Sequence, residues 1–482
     1  MLKSIAASLL AGSSYVLALN GIVHLEQQRS LGNGRLAAYL RVHDRSLVQR
    51  AEVAIGRTKQ PAGAALLAAH TGDADAGTRA LAVYGFGLIA TPAAAAPVLR
   101  ALNDKTDPVL VSALDATDRL ESAKVFATSQ ERWAASSVTR LLHAANATVR
   151  SRAATTLASF SLGAQATRAQ NALQRAYGSE HNSNVREHIA WSLYRGYAKS
   201  VSVTVLKHEL ADKDDVVRIE AVRALGRRGD KSLVSLLKPL ANDPSWRVQE
   251  QSFESVTVLN GGKMTEHLTK LANGLHLPPR TADPFANVPA QARARRRGKF
   301  SPPDPAHVLS VPQFGVSSVA DLTGPQRGPH PRMRVVTTKG NIYLELFPEW
   351  APLTVENFMN LAQGGYYDNN PWFRIVPDFV VQSGDPSANA PGVGYTTVAE
   401  ENPIEQDSYI VAMGLDYTSG ANAHAKRDSA GSEFYITLSP QFHLNRDFSV
   451  FGRMIAGFDV LPRLIESDRI LRIERISDSP KT

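Results

Sequence analysis

The sequence predicts a multidomain chain: an all-α helical-repeat solenoid followed by a mainly-β closed barrel with two helices. Three observations predict it. A helical pattern recurs every 31 to 40 residues through the first half. Alternating strand patterns take over from Met333. Between the two lies a proline-rich stretch that no helix can cross.

At roughly 100–200 residues per domain, 482 residues leave room for about two to four domains. Hydrophobic residues at 43 % and charged residues at 20 % exclude a mainly disordered chain. There are no cysteines, which excludes disulfides, thiolate metal sites and a cysteine nucleophile. The opening carries Lys3, then the apolar stretch Ile5–Ala11 and a weaker run Tyr15–Ala18, with no acid before Glu26. Val16 and Ala18 fit a small-x-small cleavage rule, so residues 1–18 are expected to be a secretory signal. The protein is then exported (periplasmic or extracellular), and without a working signal it is cytoplasmic. No apolar run of 18 or more residues occurs elsewhere, so no integral membrane span is expected in the mature chain.

Residues 30–277 form the repeat region. The clearest copies begin Leu47-Val48-Gln49-Arg50-Ala51, Val149-Arg150-Ser151-Arg152-Ala153 and Val217-Arg218-Ile219-Glu220-Ala221. Weaker copies begin at Thr78, Val109, Val185 and Val248. Apolar positions at i, i+4 and i+8, such as Val217, Ala221 and Leu225, make one buried stripe. A single helix pair cannot bury that stripe alone, so neighbouring pairs stack. Asp44, Asp107, Asp214 and Asp243 stand where a helix N-cap is expected. The period and pattern resemble HEAT-like repeats over about residues 30–270. The resemblance implies an extended surface for a protein partner.

Residues 278–332 read as a linker, with 11 of the 27 prolines. It contains the basic run Arg293-Ala294-Arg295-Arg296-Arg297-Gly298-Lys299. No stacking aromatics are interleaved with it. It is read as a solvated linker that contacts an acidic neighbour in the same chain, and nucleic acid is not expected as a partner. The net charge of +8 supports this. It divides into +10 over residues 1–277, +5 over 278–332 and −7 over 333–482, so a basic array and linker should attract an acidic C-terminal domain.

The last domain covers residues 333–482. Arg334–Thr338 and Ile342–Leu346 flank the turn Lys339-Gly340-Asn341 as a hairpin does. Thr354 is expected to cap a helix that displays Val355, Phe358, Met359 and Leu361 and stops at Gly364-Gly365. A second helix is expected at about Phe458–Leu464, and short strands between the two suggest a closed barrel.

Three separated blocks then carry a family signal. They are Trp372-Phe373-Arg374-Ile375-Val376-Pro377-Asp378-Phe379-Val380-Val381-Gln382-Ser383-Gly384-Asp385, Gly431-Ser432-Glu433-Phe434-Tyr435-Ile436 and Phe451-Gly452-Arg453. In this order they resemble the cyclophilin-type peptidyl-prolyl cis/trans isomerases, over residues 333–478. The resemblance implies catalysis of X-Pro rotation, whose barrier of about 18–20 kcal/mol comes from the partial double bond of the amide. Catalysis of this kind needs no cofactor, no metal and no nucleophile. It needs an apolar socket for the ring and a donor to the prolyl nitrogen once the amide is twisted.

By the resemblance, Arg374 is the catalytic arginine, with Phe379 and Gln382 completing the catalytic core. Val380, Tyr435 and Leu444 receive the proline ring with Phe379. Gln382 holds the substrate backbone, and Glu433 stands where a second Gln usually helps. His443 and Phe448, which replace a Trp of many members and a common His, are implied substrate-binding residues, and the loss of the Trp implies weak binding of cyclosporin-like ligands. Leu415, in Met413-Gly414-Leu415-Asp416, is a further implied substrate contact. Val380 stands for a frequent Met, Tyr435 for the usual Phe, Phe373 for a His and Asp378 for a Gly. Tyr417–Arg427 holds an insertion of about nine polar residues near the groove. His424 and His443 are read as loop and rim residues, because no second-ligand spacing makes them metal ligands.

The implied function is a peptidyl-prolyl isomerase that assists folding of proline-containing clients, with the repeats binding client or partner. The alternative is a non-catalytic proline-peptide-binding scaffold or holdase.

Overall fold

A computed structural model of the protein describes residues 2–261, 277–291, 300–307, 314–386, 392–419 and 424–477, with side chains from Ser14 onward. Its first half runs through α1 (Leu2–Gln27), α2 (Arg35–Tyr39), α3 (Arg45–Thr58), α4 (Gly63–Ala68), α5 (Ala76–Ile89), α6 (Pro92–Ala101) and α7 (Asp107–Ser122). It continues through α8 (Thr128–Leu141), α9 (Ala147–Ala158), α10 (Ala166–Ser179), α11 (Ser183–Tyr197), α12 (Val203–Leu210), α13 (Asp215–Arg228), α14 (Val234–Leu237) and α15 (Trp246–Leu259).

Each of the seven repeat starts is the third residue of an odd-numbered helix from α3 to α15. Val109, Val149, Val185, Val217 and Val248 are buried there, as a stripe facing the next pair requires. Asp44 and Asp214 cap their helices as expected, by accepting from backbone N–H groups of the first turn. Asp75, Asn146 and Asn182 do the same. Asp107 and Asp243 do not. Thr106 precedes α7, and Asp107 is its first helical residue. Ser245 precedes α15, while Asp243 binds Arg218 at 2.7 Å. That pair belongs to a ladder joining consecutive repeats: Arg79–Asp104 at 3.0 Å, Arg150–Glu180 at 2.7 Å and Arg186–Asp212 at 2.8 Å. The ladder accounts for the Arg that follows the repeat start in four of the copies, Arg79, Arg150, Arg186 and Arg218.

From Leu19 onward α1 is part of the packed body. Leu19 and Val23 lie against Leu353, and Glu26 is fully buried between Arg50 and Arg57, both at 2.6 Å. No helix among the described residues is long and apolar enough to cross a membrane. The basic run 293–299 lies outside the described residues. The described linker is largely exposed up to Ala306, and from Phe314 onward part of it is packed. Gln49 bonds both the N–H and the carbonyl of Val316, and Phe314 meets Trp350 edge-on at 5.1 Å. The short helix α16 (Val319–Thr323) precedes the sheet.

The C-terminal part is one nine-stranded antiparallel sheet, curled on itself. Its strands are β1 (Arg332–Thr337), β2 (Gly340–Leu346), β3 (Asn370–Pro371), β4 (Arg374–Val376), β5 (Val380–Ser383), β6 (Ile410–Met413), β7 (Phe434–Thr437), β8 (Val450–Ala456) and β9 (Arg469–Ile476). The order is β3-β9-β1-β2-β8-β6-β7-β5-β4. The two outermost strands, β3 and β4, are consecutive in the chain with only Trp372 and Phe373 between them. The ladder therefore stays open at that seam among the described residues, a half-barrel rather than a fully hydrogen-bonded closure.

Helix α17 (Pro352–Gln363) buries Val355, Phe358, Met359 and Leu361, as its spacing predicts. Thr354 is inside it and is not its cap. The buried carboxylate of Glu400 serves the helix start instead, accepting from the N–H of Leu353 and Thr354 at 3.2 and 2.8 Å. The expected late helix is a single 3-10 turn at Leu461–Arg463, where Pro462 removes a donor.

The two halves meet along a row of basic side chains, most of them buried. Arg57 donates to the carbonyls of Trp350, Glu400 and Glu401. Arg119 donates to those of Asn445 and Arg446, both at 3.0 Å. Arg152 bonds the carbonyl of Pro403 at 2.6 Å and lies 3.2 Å from Glu405, which His188 also meets at 3.1 Å. Arg223 and Arg247 close on Asp378 at 2.9 and 3.6 Å. Lys59 and Arg427 hold Glu401, each at 2.9 Å. Arg29 binds Asp428. Buried charges persist only when partnered, and here, Arg427 with Glu401 excepted, the partners come from the opposite half. The charge division of +10 against −7 is thus realised as a docked pair.

Candidate active site

Three neighbouring strands set the site by register alone. Arg374 on β4 stands opposite Gln382 on β5, and Gln382 stands opposite Tyr435 on β7. Directly paired residues share a face, and Val380, two residues from Gln382, joins them. The turn between β4 and β5 turns back through Asp378 at φ 50°, so Phe379 follows at its edge. The 3-10 turn Phe442–Leu444 brings Leu444 under the same face. Phe448 meets the Tyr435 ring edge-on at 5.8 Å.

These residues enclose a cavity of about 330 Å³. Arg374, Phe379, Val380, Gln382, Leu415, Tyr435, Leu444 and Phe448 all line it. Val380, Leu415, Tyr435, Leu444 and Phe448 are buried, whereas Arg374 is exposed at the mouth. Gly414 and Tyr417 also line it. Tyr417 opens the insertion and, at 54 % exposed, is an aromatic edge available to a ligand. Its signal in the sequence was an aromatic at the root of a polar insertion. Residues 420–423 of that insertion lie outside the described residues.

A polar chain crosses the mouth. Arg374 Nη1 donates to Gln382 Oε1 at 3.2 Å, and Gln382 Nε2 donates to Glu433 Oε2 at 2.8 Å. The Arg374 guanidinium also lies 5.3 Å from the Phe379 ring centre. Burial lowers the Arg374 pKa from its ordinary value, while Tyr417 and Glu433 act the other way. Burial, helped by the Asp385 charge, pushes Glu433 up to about 7 against the hydrogen bond from Gln382. Glu433 supports Gln382 but does not line the cavity itself.

The departures from the family pattern find partners outside the cavity. The Tyr435 hydroxyl donates to Gln406 Oε1 at 3.1 Å, so it adds no polar edge to the socket. Asp378 is fully buried under Arg223 and Arg247. His443 does not line the cavity. It stacks on Phe379 at 5.9 Å and on Trp191 of α11 at 6.5 Å, both with planes 16° apart. A Trp position of the family has thus become a contact with the helical repeats. His424 lies in the insertion, and no group of three or more metal-ligating side chains occurs among the described residues.

An apolar socket with a guanidinium and an amide at its rim, on a curled antiparallel sheet, defines a proline-binding rotamase of the cyclophilin class. The family described as cyclophilin-type peptidyl-prolyl cis-trans isomerase/CLD matches residues 332–477, and that described as HEAT repeats matches residues 203–276. Peptidyl-prolyl cis-trans isomerase ppi1 of Schizosaccharomyces pombe is 38 % identical over 128 residues, covering 27 % of this chain and 81 % of that protein. Peptidyl-prolyl cis-trans isomerase B of Bacillus subtilis is 38 % identical over 130 residues, covering 26 % and 85 %. A solved cyclophilin-type isomerase of Cryptosporidium parvum aligns at 29 % identity with a TM-score of 0.28, covering 31 % of this chain and 99 % of that one. The chain belongs to the cyclophilin-type peptidyl-prolyl cis-trans isomerases through its C-terminal domain, which follows a HEAT-repeat region.

Proposed function

We propose that the protein rotates X-Pro bonds in flexible segments of client proteins and so assists their folding. The observation that carries this is Arg374 at the mouth of the 330 Å³ apolar cavity, held by Gln382 at 3.2 Å. The proline ring enters between Phe379, Val380, Tyr435, Leu444 and Phe448. Gln382, steadied by Glu433, holds the backbone beside the ring. As the amide twists, the prolyl nitrogen regains its lone pair and Arg374 donates to it. That hydrogen bond exists only in the twisted state, so it lowers the barrier rather than tightening ground-state binding. The guanidinium keeps its charge at working pH.

The departures Tyr435, Asp378 and His443 would favour a non-catalytic scaffold, but each also has a partner outside the socket: Gln406, Arg223 and Trp191 respectively. The helical array holds the isomerase with its odd-numbered helices, so a protein partner would use the outer helices, where Trp133 of α8 is 40 % exposed. Export is part of the proposal and rests on the opening stretch. N-terminal sequencing of the mature protein checks it, because cleavage after Ala18 keeps the buried Leu19–Glu26 segment.

A protease-coupled assay on a short X-Pro peptide tests the activity. Wild type should accelerate rotation, and Arg374→Ala should lose most of that acceleration. If both proteins match the uncatalysed rate while still binding the peptide, catalysis is refuted and the scaffold role stands.

A further inference from the structure

Beyond the proline socket, on the far side of Phe379, lies a larger cavity of about 440 Å³ shared between the two halves. Val376, Pro377, Phe379, Gln441 and His443 form its isomerase wall. Tyr194, Arg195, Arg223 and Arg227 are among the residues of its repeat wall, from α11 and α13. Phe379 lines both cavities, so a chain whose proline occupies the socket has this one beside it.

The charge of the cavity is one-sided. Arg223 is already engaged by Glu220 and Asp378. Arg195 and Arg227 make no ion pair with a carboxylate among the described residues. The Arg227 guanidinium lies 5.6 Å from the Tyr194 ring centre, and so does that of Arg223. Arg195 is half-buried and Arg227 exposed, so both are open to a ligand. Burial pushes Glu254, the one carboxylate in the lining, up to about 7, which weakens it as a counter-charge. His443 is held neutral, with burial first and then Arg195, Arg223, Arg446 and Arg227 driving its pKa down to about 3. A second cavity of about 360 Å³ continues past Arg195 and His443 along α7 and α9; there Arg446 is already paired with Asp118 at 3.3 Å, so the free arginines are those of the first cavity.

We propose that this interdomain cavity is a substrate subsite that selects acidic residues flanking the proline, with Arg195 and Arg227 as the selecting groups. It rests on the isomerase function proposed above and narrows its substrates to proline segments with nearby Asp or Glu. The His443 ring, in the cavity wall, stands 5.9 Å beyond the Phe379 ring, and Trp191, in the wall of the adjoining second cavity, a further 6.5 Å. At roughly 3.3 Å per extended residue, the subsite receives side chains about two to four positions from the proline. The repeats thereby contribute to specificity as well as to support.

The test compares peptides that share one X-Pro core and carry Glu, Gln or Lys two to four residues to either side. For one of the two sides, kcat/KM for the Glu peptide should exceed that for the Gln peptide by about tenfold, as expected for charge-assisted hydrogen bonds. The ratio should shrink with added salt and fall to about one in Arg195→Gln/Arg227→Gln. A variant that merely folds poorly lowers both rates and leaves the ratio in place. Fluorescence anisotropy of the labelled peptides on the full chain reads the same ratio as affinity. The subsite can therefore be judged even if no turnover is seen, which would refute only the catalytic function. Equal values for Glu and Gln peptides on both sides, or a preference that survives the double variant, would overturn the proposal. So would displacement of the Glu peptide by a short single-stranded DNA at concentrations far below those needed with unlabelled peptide, which would assign the cavity to nucleic acid.

Discussion

Replacing Asp378 by Asn removes one charge at the junction of catalytic turn and repeats while keeping the side chain's shape. Asp378 is fully buried and lies 2.9 Å from Arg223 and 3.6 Å from Arg247. Without it, Arg223 keeps Glu220 at 3.0 Å and Arg247 keeps only Asp215 at 3.8 Å. Removing one member of a buried ion pair costs about 3–5 kcal/mol. Two features put this case at the lower end, about 3 kcal/mol. The remaining carboxylates offset part of the loss, and burial already pushes Asp378 up against the pull of its arginines. About 3 kcal/mol is roughly a 150-fold change in the equilibrium for opening the interface. Amide hydrogen exchange reads it directly, and protection in α13 and in Phe379–Gln382 should fall by about that factor. Asp378→Gly should recover about 1 kcal/mol of the loss, because φ 50° costs glycine nothing. A fall in protection of less than about threefold for Asn would refute the docking role of the pair.

Three further outcomes are expected. Stability should peak in mildly acidic solution, near pH 4.5, and decline toward neutral pH. Arg50 and Arg57 outweigh burial and hold Glu26 down to about 2, so its contribution is complete above 4.5 and is lost as pH falls through 2; Glu401 and Glu405 are depressed too. Burial raises Glu220 to about 7 and Glu250 to about 8, so their contribution is complete below 4.5 and lost as pH rises through those values. A Tm that stays flat between pH 3 and 9 would contradict this balance. Tyr435→Phe should cost about 1 kcal/mol in urea unfolding through the lost Gln406 bond yet leave kcat/KM within about twofold, whereas a large kinetic loss would place the hydroxyl in the socket. Activity should rise through about pH 7 as Glu433 ionises and fixes the Gln382 amide, and Glu433→Gln should flatten that profile; an unchanged midpoint in the variant would exclude Glu433 as its source.

Much of this was readable beforehand because it depends on local periodicity. The seven repeat starts landed at one helical position, since a buried apolar stripe must recur with each pair. The socket residues were readable because strand register fixes a face, so Arg374, Gln382 and Tyr435 come together once the strands pair. The docking was less visible. Arg57, Arg119, Arg152 and Arg223 look like surface charges in a helical pattern, and only the segmental charge division hinted at their burial. His443 was misplaced for the same reason, because its stacking partner Trp191 comes from a repeat 252 residues earlier. Asp107 fails as a cap because it is already the first helical residue of α7, and Asp243 because Ser245 stands nearer the start of α15 and Arg218 claims Asp243. The late helix failed because Gly457 and Pro462 leave too short a span for α-helical bonding.

Exchange NMR on a peptide with a resolved cis/trans X-Pro pair tests catalysis most directly, since it needs no coupling protease and reads rotation at equilibrium. Wild type at catalytic concentration should produce exchange cross-peaks within a second, where the uncatalysed bond takes tens to hundreds of seconds. Arg374→Ala, at equal concentration and with its fold verified, should lose most of that exchange. Exchange of equal rate in both proteins would show that the guanidinium at the cavity mouth is not what lowers the barrier.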